Sequence, residues 1–385
     1  MRKLSKAKVG AAALGAAAIS LGMMSPALAD IAPGTNDVVG GGSDTVQYAS
    51  DFLWDGTPNG DTGYNTGKTN KVFSFDATAD ANGRATYNGK VDSTTGDPIL
   101  LATTSVMRAG TSPVVRPNGS GAGIAALYTS PYIGVAGAPV LQFARASRLP
   151  KCTEDTAAAT AGYGGLHVYK YGTEHLTMAA AKSATNAPAS LSLANLINIY
   201  NGTYLKWQDV PGYSGPAPTA TIIPEIPQNG SGTRNTFTAD LQAANGGVAV
   251  PLTNPNIITV QENDFASLTA PAGVAADAPN AVAPFSGGRI ALNDSGYFGA
   301  PATNQVKALG GYDDNRALFF VVRESDVTSA KKFQPGLAAN FVNTLFAGGT
   351  ASIIGSPIYA ADIQYAGQTP SYADLGHGVS GTSCT

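Results

Sequence analysis

Three observations on this 385-residue sequence predict an α/β fold. Short apolar segments of strand character alternate with segments whose apolar residues recur at helical spacing. Glycine- and serine-bearing turns join several of these strand–helix pairs. Hydrophobic residues make up 43% of the chain, enough to build a core and to exclude a disordered chain.

In chain order, Val38-Val39 reads as a short strand, Gly40–Thr45 as a turn, and Val46, Ala49, Phe52 and Leu53 as one helical face. Residues 55–97, rich in Gly, Asn, Asp and Thr, read as a long surface insertion. Val114-Val115 is a second strand, followed by Asn118–Gly123 and a helix from Ile124. Residues 140–148 read as a strand ending in a polar turn, and residues 166–171 alternate as a strand. Ser192 caps a helix with the face Leu193, Leu196, Ile197 and Tyr200, and Gly202 lies just past its end. Residues 221–226 form a Pro-interrupted strand that leads through Asn229–Thr233 into a helix carrying Phe237 and Leu241. Residues 317–323 read as a buried strand and residues 337–346 as an amphipathic helix.

The first residues read as an export signal. Arg2, Lys3, Lys6 and Lys8 precede an uncharged run from Val9 to Met24, and Ala27-Leu28-Ala29 supplies a small-x-small cleavage pattern before Asp30. The run falls short of the roughly 20 residues of a membrane span. Cleavage of residues 1–29, which carry four basic and no acidic residues, shifts the formal net charge from −3 to −7. No cysteine stands near the cleavage site to carry a lipid, so a secreted or periplasmic, non-spanning, monomeric protein is expected. In an oxidising compartment Cys152 and Cys384 are expected to form a disulfide.

Several chemistries are excluded. Three His and two Cys leave little for a His- or Cys-rich metal site. The negative balance argues against a nucleic-acid partner. Gly63–Thr69 imitates a nucleotide loop, but Thr62 stands where the first glycine is required, and strand-like KVFSF follows. No serine has glycine at both −2 and +2, so the nucleophile elbow of hydrolases is absent. His167 reads as a structural strand residue, His175 as a structural or surface one, His377 as part of a polar tail, and Asp313-Asp314 as a solvated turn. No catalysis and no cofactor are expected.

What remains is a set of three turns. Asn118-Gly-Ser-Gly121 and Asn229-Gly-Ser-Gly232 are identical, and Gly42-Ser43-Asp44-Thr45 occupies the same kind of position. Glycines let backbone N–H groups approach a ligand closely. Helix N-termini add unpaired donors and partial positive charge. Three such turns facing one cleft make an oxyanion cage of neutral donors.

At these residues the chain resembles the phosphate-binding component of ABC transporters, a type II periplasmic-binding-protein family. LSLANLINIYNGTYLKWQDV followed by QNGSGTRNTFTADL carries the strongest likeness, with Gly40–Thr45, Gly119–Gly123 and FARASRL at 143–149 as the other loops. The resemblance implies two α/β lobes with a ligand cleft between them: residues 30–172 with 285–385, and residues 173–284. It implies capture of inorganic phosphate or a related oxyanion, with an ABC permease as a further partner. The donors it implies are Ser43, Thr45, Ser120, Ser147, Ser231, Gly232 and Thr233, with Gly121 and Asn229 in the same loops. Arg148 and Asn229 stand where the family has Asp, and Pro227 where it has Arg. Asp44 is then expected to accept the proton of a phosphate ligand, and Arg148 or Arg234 to act as a charged donor or to be an ordinary surface arginine. These departures also admit a secreted envelope or interaction protein that kept the fold and lost or changed the ligand.

Overall fold

The computed structural model describes residues 33–78, 86–91, 98–100, 104–134, 139–182, 185–299, 306–328 and 341–378. The expected signal segment and Cys384, and hence the expected bridge to Cys152, lie outside these residues.

The strands are β1 (Val38–Gly42), β2 (Val72–Ser74), β3 (Thr86–Val91), β4 (Pro98–Leu100), β5 (Thr104–Ser105), β6 (Val114–Val115), β7 (Phe143–Ala146), β8 (Leu166–Ala181), β9 (Ser190–Leu191), β10 (Ile223–Pro227), β11 (Ile258–Val260), β12 (Ala281–Ser286), β13 (Val306–Arg323) and β14 (Thr369–His377). The helices are α1 (Gln47–Asp55), α2 (Ser120–Ala126), α3 (Cys152–Ala158), α4 (Leu193–Tyr200), α5 (Gly232–Ala244), α6 (Phe265–Thr269), α7 (Gly287–Asp294), α8 (Glu324–Val327), α9 (Phe341–Leu345) and α10 (Ala360–Tyr365). The main sheet runs β11-β10-β12-β8-β13-β7-β1-β2, with β14 on β8 and β9 on β13. Its outer strands pair in parallel, as strand–helix–strand units require, whereas β8 and β13 are antiparallel to each other and to β12, β7 and β14, and only the short β9 runs parallel to β13.

β8 and β13 are 16 and 18 residues long and run through the whole molecule. Their first and last thirds belong to different cores. On the β1 side, Trp54, Phe143, Tyr169, Phe320 and Phe346 form one aromatic cluster. On the β10 side, Leu176, Met178, Leu196, Trp207, Phe237 and Tyr312 form another. Trp54 Nε1 donates to Ser50 Oγ at 2.8 Å, and Trp207 Nε1 donates to Asn280 Oδ1 at 3.0 Å, so both buried indoles are satisfied.

Local signals explain the helices that matter. Ser192 Oγ accepts from Asn195 N at 3.3 Å and caps α4, and Gly202 beyond it has φ +83°. Ser231 and Ser286 cap α5 and α7 in the same way, accepting from Arg234 N and Arg289 N, both at 3.1 Å.

Three expectations are corrected. The segment 55–97 is not all surface: β2 extends the main sheet beside β1, Phe75 and Ala77 are buried, and Asn65 holds both backbone groups of Val72 at 2.8 Å. Apolar residues inside that polar stretch supplied the edge strand. Asp313-Asp314 lies within β13 just after a register shift, and not in a turn; the half-exposed Asp313 accepts from His175 across the pair at 2.7 Å. His377 ends β14 beside His167 and is not in a free tail. His167 is structural: its two ring nitrogens meet Glu324 and Asp374, each at 2.8 Å, which pins β14 and α8 to β8. Residues 337–340 of the expected last helix lie outside the described residues.

Candidate functional site

Four strand-to-helix turns converge where β8 and β13 pass from one core to the other. Gly42 ends β1 with φ +127°, and a side chain there would collide with the Arg145 carbonyl. This lets Ser43 N donate to Arg145 O at 3.0 Å and turns the Ser43 hydroxyl inward. Ser43 Oγ donates to Ser147 Oγ at 3.1 Å, and Ser120 Oγ lies 3.3 Å from the same atom. Gly232, the first residue of α5, faces both hydroxyls; a Cβ there would fall on Ser147 Oγ and Ser120 Oγ. Gly119 comes against the Gly230 carbonyl, and Gly121 N donates to Gly230 O at 3.1 Å. The Asn118–Gly121 and Asn229–Gly232 turns therefore touch backbone to backbone, which at Gly119 only glycine permits.

A second polar layer adjoins these serines. Thr45 Oγ1 and Thr233 Oγ1 lie 3.4 Å apart and both donate to Glu262 Oε1, at 3.0 and 2.5 Å. Arg316 Nη2 donates to Thr45 Oγ1 at 3.2 Å and to Thr233 Oγ1 at 2.9 Å. Its Nε holds Glu174 Oε1 at 2.9 Å, and Nη2 also contacts that carboxylate. Arg316 and Glu174 are register partners at the middle of the two long strands. Ser286 Oγ donates to the other oxygen of Glu174, and Arg289 from α7 clasps Asp44 through both its carboxylate and, at 3.0 Å, its carbonyl. Arg289 also stacks over Tyr48, 4.3 Å from the ring centroid. Ser43, Asp44, Ser120, Ser231, Thr233 and Glu262 are completely buried.

Burial opposes charge on Arg316, but the paired Glu174 carboxylate holds its guanidinium above its ordinary value. Burial, then the neighbouring Asp44, pushes the Glu262 carboxyl up, against the hydrogen bond from Thr233. Two polar atoms in this layer have no hydrogen-bond partner: Arg316 Nη1 and Glu262 Oε2.

The twelve residues singled out in the sequence fall into groups. Ser43, Thr45, Ser120, Ser147, Gly232 and Thr233 meet directly, and Ser231 and Gly121 build the turns that hold them. Asp44 is buried beside them but engaged by Arg289. Three stand apart. Arg148 is bidentate to Glu154, at 2.6 and 2.9 Å. Arg234 Nη1 donates to Pro227 O at 3.0 Å, and Asn229 is exposed. Glu174, Glu262, Asn263, Arg289 and Arg316 were not foreseen. One signal was available: Ser286-Gly-Gly-Arg289 between β12 and α7 repeats the strand–Gly/Ser turn–helix pattern of the other three.

Among the described residues no group of three or more His, Cys, Asp or Glu could hold a metal ion, and no helix is long and apolar enough to cross a membrane. The sequence profile of the family described as PBP superfamily domain matches residues 76–338, more than half of the chain. The chain belongs to the PBP superfamily. Its mixed sheet crossed by two long strands accords with the type II periplasmic-binding fold of that superfamily. Solved structures similar to this superfamily member include an ABC-type phosphate transport receptor from Vibrio cholerae, with 16% identity, TM-score 0.46, and coverage of 87% of this chain and 100% of that one. Another is a phosphate-binding protein from Stenotrophomonas maltophilia, with 14% identity, TM-score 0.46, and coverage of 87% and 90%. No curated protein matches the chain.

Proposed function

We propose that this protein captures a tetrahedral oxyanion, phosphate or a close relative, between two lobes, and that it does so without catalysis. The observation that carries this reading is the buried hydroxyl cluster of Ser43, Ser120, Ser147, Thr45 and Thr233, with the guanidinium of Arg316 beside it. Neutral donors gathered around one arginine suit an anion with four acceptor oxygens. The serines that bond to one another here turn the same hydroxyls onto the ligand. Arg316 takes the charged-donor role, because it touches Thr45 and Thr233 and keeps Nη1 without a partner, whereas Arg148 and Arg234 are bonded outside the hydroxyl cluster.

The lobes are residues 30–172 with 285–385, and residues 173–284. β8 and β13 are the hinge, and the register shifts on either side of Arg316 are where they bend. Closure then brings Thr45 of one lobe onto Thr233 and Glu262 of the other. Export through the segment before Asp30, a Cys152–Cys384 bridge and delivery to an ABC permease complete the proposal.

Calorimetry and thermal-shift titration of the mature chain with phosphate, arsenate and sulfate test it. Saturable heat and a rise in Tm are expected with at least one of them, and both vanish in Arg316→Gln. No heat and no shift at millimolar anion would sink the reading in favour of a protein that kept the fold and lost the ligand.

A further inference from the structure

Glu262 differs from the other carboxyls of the site in how its two oxygens are used. Oε1 receives three donors: Thr45 Oγ1 at 3.0 Å, Thr233 Oγ1 at 2.5 Å and Thr233 N at 3.3 Å. Oε2 receives none, although the residue is completely buried. An ionised carboxylate is acceptor-only and uses both oxygens; a carboxylic acid has one accepting carbonyl oxygen and one O–H that donates. The arrangement at Glu262 is that of the acid, with Oε2 as the hydroxyl.

The charges around it agree. Glu262 is faced by Asp44 and Thr45 from the first turn, by Thr233 from α5 and by Arg316 from β13. Arg316 has its own carboxylate in Glu174, and Arg289 has its own in Asp44. Among the described residues no cation stands within ion-pair distance of Glu262, which leaves it as the odd carboxyl among two matched pairs. A buried carboxyl with no cation in ion-pair contact, whose facing arginine is already paired with another carboxylate, favours its neutral form, and a negative ligand arriving beside it strengthens that preference.

We infer that Glu262 carries a proton on Oε2 and donates that hydrogen bond to the bound oxyanion, so that the site takes up a proton with its anion wherever the empty protein has lost it. The proton comes from solvent and returns on release. The inference rests on the oxyanion reading and deepens it: a donor at this position admits fully deprotonated anions such as sulfate, which an acceptor carboxylate would repel. Arg316 Nη1 and the Glu262 O–H are then the two unpartnered donors that the anion satisfies.

Sulfate is the decisive probe, because it has no titrating proton of its own near neutral pH. Calorimetry of the mature chain with sulfate and with phosphate, in paired buffers of different ionisation heat between about pH 6 and 9, counts the protons. Both anions are expected to bind. Sulfate binding should take up close to one proton at the alkaline end, where its affinity falls about tenfold per pH unit. Glu262→Gln, a neutral donor of the same shape, should abolish the uptake and flatten that slope, so that it outbinds the parent at about pH 9. Phosphate binding with sulfate refused would overturn the inference and make Glu262 an acceptor. Sulfate binding without uptake at any pH would overturn it too. Binding of neither anion would overturn the oxyanion reading itself. If Glu262→Gln fails to fold, the sulfate measurements on the unmodified chain still decide.

Discussion

Glu225, on β10, and Glu262, in the turn just past the neighbouring β11, are two completely buried carboxyls, each with one oxygen left unpartnered, but their surroundings differ. Glu225 Oε2 takes one hydroxyl, Ser267 Oγ at 2.8 Å, and its Oε1 has no partner. Burial pushes this carboxyl up to about 8, against the Ser267 bond and with Asp264. Glu262 is wrapped by two threonines and lies in the field of Arg316, where groups from both ends of the chain meet. Burial alone makes a proton-holding structural residue. Burial among convergent donors makes a residue that can address a ligand.

The largest effect expected from breaking this contrast is at Arg316. Arg316→Gln leaves Glu174 buried without its cation, which costs about 3–5 kcal/mol in chemical denaturation, and anion binding is lost in calorimetry. Retained binding would remove Arg316 from the site. Next comes Glu225. Its folded value of about 8 lies above the ordinary 4.5, so the folded state holds the proton more tightly. The stability this supplies is complete below about pH 4.5 and is lost as pH rises through about 8, a change on the order of 5 kcal/mol at about 1.4 kcal/mol per unit. Glu225→Gln should remove that alkaline loss, read as a flatter Tm against pH, and leave anion affinity as it was. Gly232→Ala should cost about 1–3 kcal/mol, because the methyl overlaps the Ser147 and Ser120 hydroxyls; its anion affinity should fall with it. Asn229→Ala, at an exposed turn, should stay within about 0.5 kcal/mol in denaturant melts and shift affinity least of all. A large loss there would return Asn229 to the site.

The turns were legible because each is local: a strand, a Gly-Ser turn and a helix within a dozen residues announce themselves by period and by glycine. The hydroxyl donors followed from them. The charged half of the site was not legible, because its geometry is made by topology. Thr45 and Glu262 are 217 residues apart, and Glu174 and Arg316 are 142 apart. Nothing in LHVYKYGTEHL or DDNRALFF states that two strand middles will lie in register. Glu262 is aimed by Asn263, which sits at φ +55° and bonds both Thr45 Oγ1, at 3.2 Å, and Ser286 N, at 2.9 Å. Asparagine tolerates that conformation, but many asparagines in a chain never adopt it. β2 was half legible: KVFSF reads as strand-like, but polar neighbours on both sides assigned it to a surface insertion and hid its place beside β1.

The chain's two tryptophans fall one to each core. Trp54 is packed edge-on against Phe143 and Phe346, and Trp207 is stacked on Tyr213 at 17°. Both are fully shielded from solvent. Intrinsic fluorescence is thereby divided into two independent channels, each reporting the integrity of its own half. A pair of single-tryptophan proteins would show in a urea titration whether the halves melt together, while rigid rotation of one half on the other would leave both emission spectra dark to the motion. A dye on the seam, and not the native chromophores, is the probe for the proposed rotation.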